Sequence, residues 1–251
     1  LPHVKYYTDE WGVRSRLAGE LLPVPVVHPV SSLSDLKQLR LPRPDRSPLL
    51  TVIKRLRRRL PDRALVMTTR NDFSASWFLC GMERLLMSYI DEPELAEQLG
   101  HIVSDYYAEL VHLAVKAGVD VVFLTDDYAF KTGTLMSRKH FMHFVLPFLK
   151  KGVDAVHAAG AMCVKHTDGD VSGIIDLLIE TGIDGIGPLE PAAGNDLVEV
   201  QRKWGDRVAV VGNIDVDLLS RGTPEDVWEV TTRLVQSLAP AGGHILSSGN
   251  T

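Results

Sequence analysis

Cysteine is scarce in this sequence, and long apolar runs are absent. The two cysteines, Cys80 and Cys163, cannot build a disulfide framework, and they lack the spacing of a CxxC or CxxH metal motif. This favours a reducing compartment, and we expect a cytoplasmic protein. No apolar segment approaches the roughly 18 residues that cross a bilayer, so we expect neither membrane association nor a signal peptide.

A clustered basic surface is also absent. The 251 residues carry a formal net charge of −5, whereas nucleic-acid-binding proteins usually have a basic face. The one basic run, KRLRRR at 54–59, lies in a helix-like stretch and is typical of a solvated helix face. We therefore expect a small-molecule substrate and no nucleic-acid partner.

From residue 46 onward, strand-like apolar runs alternate with helix-like segments. Strands are predicted at 64–69, 119–125, 161–165, 183–189, 208–212 and 244–248. Helices are predicted at 47–60, 91–117, 141–159, 174–180, 197–204 and 223–238, the last opened by a capping Thr223 and by Pro224. Such alternation predicts a parallel sheet.

The predicted fold is α/β, a parallel (β/α)8 TIM-type barrel that forms a single domain over 1–251. Six predicted strands fall short of the eight in a closed barrel. We therefore expect the barrel to be incomplete at one or both chain ends. Alternatively, residues 1–45 supply a further strand, although we interpret this segment as irregular and extended or loop-like. A doubly wound open sheet is the alternative, but the glycine-rich phosphate loop that usually follows its first strand is not found.

Polar side chains follow each predicted strand directly. They are Arg70, Asn71 and Asp72, then Asp126 and Asp127, then His166 and Asp168, then Glu190, then Asn213 and Asp215, and finally Asn250. In a parallel barrel all of these positions lie on one rim, which predicts that they converge on one pocket. Helix capping could explain the polar residues after any one strand, but polar residues after all six strands favour an active site.

The pair His166 and Asp168 carries the most chemistry. On an extended segment, residues two apart point to the same side, so both side chains could reach one zinc or other divalent ion. They could equally serve as general acid and base without a metal. The aromatic residues Trp77, Phe78 and Tyr128 are candidate walls for a planar ligand, with core packing as the alternative. A nucleophile elbow of the GxSxG type is not found.

Several motifs occur in an order that resembles the uroporphyrinogen decarboxylase superfamily, which includes the corrinoid-linked methyltransferases. They are HTDG at 166–169, GIDGIGPLEP at 182–191, GNID at 212–215, GTPE at 222–225 and GHILSSGN at 243–250, with DEWG at 9–12 and segments 73–81 and 118–127 upstream. The resemblance covers nearly the whole chain. It implies a (β/α)8 barrel, in agreement with the pattern of strands and helices.

The resemblance to the methyltransferases implies a metal site. In those enzymes a His-x-Cys pair and a later cysteine bind zinc; here the two cysteine positions are Asp168 and Asn250. An oxygen-rich site is therefore implied, with His166, Asp168 and Glu190 as ligands.

The implied reaction moves a methyl group from a small O- or N-methylated compound to a corrinoid carried by a partner protein. Asp126 and Asp127 would orient the substrate beside the metal ligands, as further catalytic residues. The implied substrate-binding residues are Asp72, Trp77, Phe78, Tyr128, Asn213, Asp215 and Asn250.

The resemblance to the decarboxylases implies a different chemistry. Those enzymes need no cofactor; an N-terminal arginine loop binds the carboxylates of a tetrapyrrole, and a histidine near the C-terminus assists. Asn250 stands near that histidine position, and the chain is expected to begin downstream of the arginine loop. A tetrapyrrole decarboxylase is thus the alternative function, and a non-catalytic binding barrel is the second alternative. A homodimer is compatible with either enzyme.

Overall fold

Three short strands near the N-terminus pair in an antiparallel sheet: β1 (Lys5–Thr8), β2 (Arg14–Leu17) and β3 (Val24–Val27). The structure, a computed structural model, describes residues 4–17 and 23–250. Within residues 1–45 we predicted extended or loop-like chain. In the described part of this range β1–β3 are extended but pair into a sheet, and Leu33–Gln38 form a helix instead. Positions 1–3 and 18–22 lie outside the described residues. Tyr6, Tyr7 and Val27 on this sheet are exposed, so no alternation of buried and exposed residues marked it in the sequence.

The main sheet is parallel, and its strand order follows the chain: β4 (Val66–Arg70), β5 (Val121–Thr125), β8 (Met162–Thr167), β9 (Gly185–Pro188), β10 (Ala209–Val211) and β11 (His244–Ile245). Between β5 and β8 a hairpin is formed by β6 (Ala129–Phe130) and β7 (Gly133–Thr134). All six predicted strands are confirmed, and within the described residues they form the parallel β/α sheet of a TIM-type barrel fold.

Helices connect these strands and cover the sheet. They are α1 (Leu33–Gln38), α2 (Pro48–Arg59), α3 (Asp72–Cys80), α4 (Met82–Asp91), α5 (Pro93–Ala117), α6 (Arg138–Phe144), α7 (Leu146–Ala159), α8 (Ile175–Glu180), α9 (Leu197–Trp204), α10 (Val216–Arg221) and α11 (Pro224–Leu238). Thr223 caps α11 through a reciprocal pair of bonds with Asp226, as its sequence predicted. None of the helices within the described ranges is long and apolar enough to cross a bilayer.

The predicted helix at 141–159 is in fact two helices, α6 and α7, which meet at Val145. Pro147 lies in the first turn of α7, where its missing N–H leaves no bond unmade. Further into a continuous helix the same ring would clash with the preceding turn, so the chain starts a new helix instead. Apolar spacing alone does not reveal such a break.

The core lies between the parallel sheet and the helices α5 and α7. Leu99 on α5, Leu149 on α7 and Leu124 on β5 are each fully buried there. One charged residue, Lys165 on β8, is fully buried with them. Because the strands are parallel, their carboxyl ends all lie at the same edge of this core, and the polar residues that follow them are held on rigid elements.

Candidate active site

The ends of β5 and β8 bring together three side chains of types that can bind metal ions. Strand register places Thr125 opposite His166, so that Asp127 comes beside Asp168, whose N–H donates to Asp127 Oδ1 at 3.0 Å. His166 Nε2 lies 3.6 Å from Asp127 Oδ1 and 3.8 Å from Asp168 Oδ1. One ligand atom from each of the three residues lies within 4.8 Å of the other two. We call these three residues the His166 cluster.

The donor set of the His166 cluster fits a divalent metal ion. One imidazole and two carboxylates are ligands that zinc and related ions accept. Two atoms bound at about 2.1 Å to a tetrahedral zinc ion lie about 3.4 Å apart, close to the separations measured here. Asp168 Oδ1 is buried and has no hydrogen-bond partner among the described residues. A buried carboxylate oxygen without a donor is costly unless a proton or a cation satisfies it.

The electrostatics of the cluster follow from its partial burial. Burial lowers the pKa of His166 despite the nearby Asp127, which favours the neutral imidazole, the form whose lone pair can bind a cation. Burial, together with Asp127 and Glu190, raises the pKa of Asp168 to about 7. A hydrogen bond from the side chain of Asn250 opposes that rise and places Asn250 beside Asp168.

Glu190, predicted as the third metal ligand, lies outside the His166 cluster, and Asp127 takes its place. The carboxylate of Glu190 is turned toward the backbone of Gly169, whose N–H donates to Oε2 at 3.4 Å. Its Oε1 lies 3.9 Å from Lys131 Nζ. Which strand-end carboxylate faces the histidine depends on strand register, and the sequence does not reveal register.

Asp126 and Asp72 lie beneath the rim, at 1% and 2% exposure. Asp126 Oδ1 accepts backbone N–H bonds from Asn71 at 3.3 Å and Ser74 at 3.0 Å, and Tyr128 donates its hydroxyl to Oδ2 at 3.3 Å. Burial raises the pKa of both carboxyl groups. These contacts fix the start of α3. Since Asp72, Asp126 and Tyr128 do not face solvent, their predicted roles toward a substrate stay predictions.

Lys165 was not singled out from the sequence, and it organises the same region. Its ammonium donates to three backbone carbonyls, those of Leu124 at 3.2 Å, Asp126 at 2.8 Å and His166 at 2.6 Å. It also lies 4.4 Å from the ring centre of Tyr128. The lysine therefore ties the ends of β5 and β8 together below the His166 cluster. A lysine inside a predicted buried strand was the signal that could have found it.

The hairpin β6–β7 lies against the backbone beside the cluster. The N–H of Asp170 donates to Phe130 O at 2.8 Å, and Gly169 has φ +78°. A Cβ on Gly169 would overlap the carbonyl oxygen of Ala129, so only glycine permits this close approach. The tip of the hairpin carries Lys131, which faces Glu190.

The remaining predicted rim residues occupy two other places. Trp77 and Phe78 on α3 have ring centres 4.1 Å apart, and the guanidinium of Arg70 lies 3.7 Å from the ring centre of Phe78. They thus surround the end of β4. Asn213 and Asp215, after β10, line a separate groove of about 540 Å³. The sequence predicted that these residues meet in one pocket; in the structure they lie at three places, namely the His166 cluster, the aromatic side chains at the end of β4 and this groove.

Comparisons with known proteins identify relatives over nearly the whole length. The family model described as uroporphyrinogen decarboxylase (URO-D) matches residues 13–250. The uroporphyrinogen decarboxylase of Chlorobium luteolum is 29% identical over 166 residues, which cover 63% of this chain and 42% of that protein. That of Pseudoalteromonas translucida is 24% identical over 241 residues, covering 88% of this chain and 64% of that protein. The matched part thus spans between two-fifths and two-thirds of these relatives.

A solved structure supports the fold assignment. The methyltransferase from Methanosarcina mazei superposes with a TM-score of 0.74, covering 95% of this chain and 69% of that one. The two sequences are 21% identical, so the match shows that they share a fold.

Proposed function

The chain belongs to the uroporphyrinogen decarboxylase family, and we propose that it is a metal-assisted methyltransferase acting on a small methylated compound. The observation that carries this proposal is the His166 cluster, in which one nitrogen and two oxygen ligand atoms lie within 4.8 Å of one another. The unpartnered, buried Asp168 Oδ1 adds support, because a bound cation would satisfy it. The shared fold with a methyltransferase is compatible with the proposal.

A divalent ion held by Asp127, His166 and Asp168 would act as a Lewis acid on the heteroatom that carries the methyl group. The pair of the bond between the methyl carbon and this oxygen or nitrogen would stay on the heteroatom, which takes up a proton from water. The nucleophilic Co(I) of a corrinoid-type acceptor on a partner protein would donate the pair that forms the new bond to the methyl carbon. Neutral His166 offers its lone pair, and Asp127, with a side chain 55% exposed, leaves the solvent side open for substrate. Asn250 orients Asp168 through its hydrogen bond.

Metal binding is the first test. We expect purified protein to bind one zinc, cobalt or manganese ion per chain, measured by elemental analysis and titration calorimetry, and His166→Ala to abolish binding. The matched control is His143→Ala, since His143 forms an exposed pair with Glu97 at 3.1 Å and should leave metal content unchanged. Absence of binding by all three ions, or normal binding by the His166 variant, contradicts the proposal.

Methyl transfer is tested next. Protein is mixed with cob(I)alamin and, in separate reactions, methanol, trimethylamine or a methoxybenzoate, and methylcobalamin is followed by its absorbance. We expect turnover with at least one donor and none with His166→Ala. Stoichiometric metal binding without methyl transfer from any donor would support the metal site but contradict the proposed methyltransferase reaction.

A decarboxylase is the second candidate function, supported by the curated relatives and by one observation at the site. The Asp168 carboxyl group, whose pKa is raised to about 7 by burial and by neighbouring Asp127 and Glu190, could deliver a proton to a carbanion near neutral pH. This candidate predicts release of carbon dioxide from uroporphyrinogen by metal-free protein, and loss of that activity in Asp168→Asn.

A further inference from the structure

The groove after β9 and β10 has the size and the chemistry of a binding site of its own. Its volume of about 540 Å³ falls within the roughly 300–1,000 Å³ of ligand pockets. Its walls come from the start of α9, the start of α10 and one face of α11. None of the three residues of the His166 cluster lines it. We call it the β9–β10 groove.

A cation stands on the α11 side of this groove. Arg233 is exposed, and no carboxylate of the described ranges forms an ion pair with it. A guanidinium presents paired N–H donors that match the two oxygens of a carboxylate. Ser237 lies one turn further along α11 on the same wall. This side of the groove is therefore suited to an anionic group.

Unfilled acceptors stand on the other side. Asp196 caps α9 and Asp215 caps α10, and in each case Oδ1 alone accepts both backbone N–H bonds. Asn213 is 6% exposed; its Nδ2 donates to Leu189 O at 2.8 Å, and no described donor reaches its Oδ1. The second oxygen of each carboxylate and the amide oxygen thus remain able to accept bonds from a cationic group.

Apolar side chains line the groove between these two sides, and Asn195 also lines it, with its Nδ2 donating to the carbonyls of Gly169 and Glu190 at 2.9 Å each. Leu197 and Leu234 are buried, and Leu218 and Val230 are half-buried between the two polar sides. Burying an apolar substituent here gains roughly 25 cal/mol for each Å² removed from water.

We propose that the β9–β10 groove binds a small zwitterion of the amino-acid type. Its carboxylate pairs with Arg233, its ammonium group faces Asp215 and Asn213, and its apolar substituent covers the leucines. Adjacent strands lie about 4.8 Å apart, so β10 is about 10 Å from β8, and a ligand here neighbours the His166 cluster without touching it. The site is independent of metal binding and of the reaction proposed above.

The first arm of the test uses three probes that share a phenylethyl group: L-phenylalanine, 3-phenylpropanoate, which lacks the ammonium group, and 2-phenylethylamine, which lacks the carboxylate. Affinities are measured by titration calorimetry and by saturation-transfer NMR on the full chain. We expect L-phenylalanine to bind at least ~10-fold more tightly than either half-ligand, because each half-ligand lacks one of the two charge-assisted contacts. No binding of L-phenylalanine at millimolar concentration, or equal binding of the three probes, overturns the proposal.

The second arm uses variants that preserve the fold. Arg233→Gln should weaken L-phenylalanine at least ~10-fold and leave 2-phenylethylamine unchanged. Asp215→Asn keeps the helix cap, since asparagine caps as well as aspartate, and should weaken the two ligands that carry an ammonium group. Arg202→Gln, an exposed arginine on α9 outside the groove, is the matched control. If Arg233→Gln binds L-phenylalanine as the control does, the assignment is wrong.

His166→Ala separates this inference from the proposed function. That variant should lose the metal ion and still bind L-phenylalanine with wild-type affinity. Loss of both would place the two ligands in one site and contradict an independent groove.

Discussion

Replacing Asp168 by asparagine is expected to stabilise the metal-free protein at about pH 8 more than at about pH 5. In the folded chain, burial and the carboxylates of Asp127 and Glu190 raise the pKa of Asp168 to about 7, from an ordinary value of 3.8. Between these two values the folded protein keeps a proton that the unfolded chain has released. The contribution of Asp168 to the stability of the wild type therefore falls as the pH rises through this window and is constant above it.

The magnitude follows from the width of the window. One pH unit corresponds to about 1.4 kcal/mol, so two units between about pH 5 and pH 7 correspond to roughly 3 kcal/mol. The side chain of Asp168 is 23% exposed, which makes this value an upper estimate. Asparagine has nearly the same shape and does not titrate. The free energy of unfolding of Asp168→Asn relative to wild type should therefore be larger at about pH 8 than at about pH 5, by up to this amount.

Urea unfolding of both proteins at the two pH values, in the presence of a chelator, measures the difference. The control is Asp170→Asn: Asp170 Oδ1 accepts the Ser172 N–H at 2.9 Å, a bond that asparagine preserves. Its stability relative to wild type should not depend on pH. If the advantage of Asp168→Asn is the same at both pH values, the carboxyl group is not held in its protonated form, and the reasoning from burial fails.

Two further predictions concern the elements that support the cluster. Lys165→Met removes the donor to three backbone carbonyls and should lower the free energy of unfolding by about 3–5 kcal/mol, measured by urea titration. A loss below ~1 kcal/mol would mean that the ammonium group is not required there. Gly169→Ala should lower the free energy of unfolding by about 2 kcal/mol or more, because Gly169 has φ +78° and its added Cβ would meet the Ala129 carbonyl. The control is Gly173→Ala, which has open space around the added Cβ and should change the free energy of unfolding by no more than about 0.5 kcal/mol. Equal effects of the two substitutions would show that the hairpin can move aside.

Much of the fold could be predicted because its signals are local. Apolar strands such as 119–125 and 208–212 and the capped start of α11 are written in consecutive residues, and the structure confirms all three. The break at Val145 and the strands β1–β3 were missed, since a proline in a first turn and a sheet exposed on both faces leave the spacing of apolar residues ambiguous. The sequence predicted the residues of the candidate site from their positions after strands and paired His166 with Asp168, but it did not predict Asp127 as the third member of that cluster.

The sequence alone determined the order of strands and helices and the family, because periodicity and motif order need no knowledge of contacts. It also placed His166 and Asp168 at the end of a strand. Tertiary structure decided which carboxylate meets the imidazole. Strand register places Asp127 against His166 and turns Glu190 toward Gly169. Burial then set the charges, since the pKa of Asp168 and the role of Lys165 depend on the water that packing excludes.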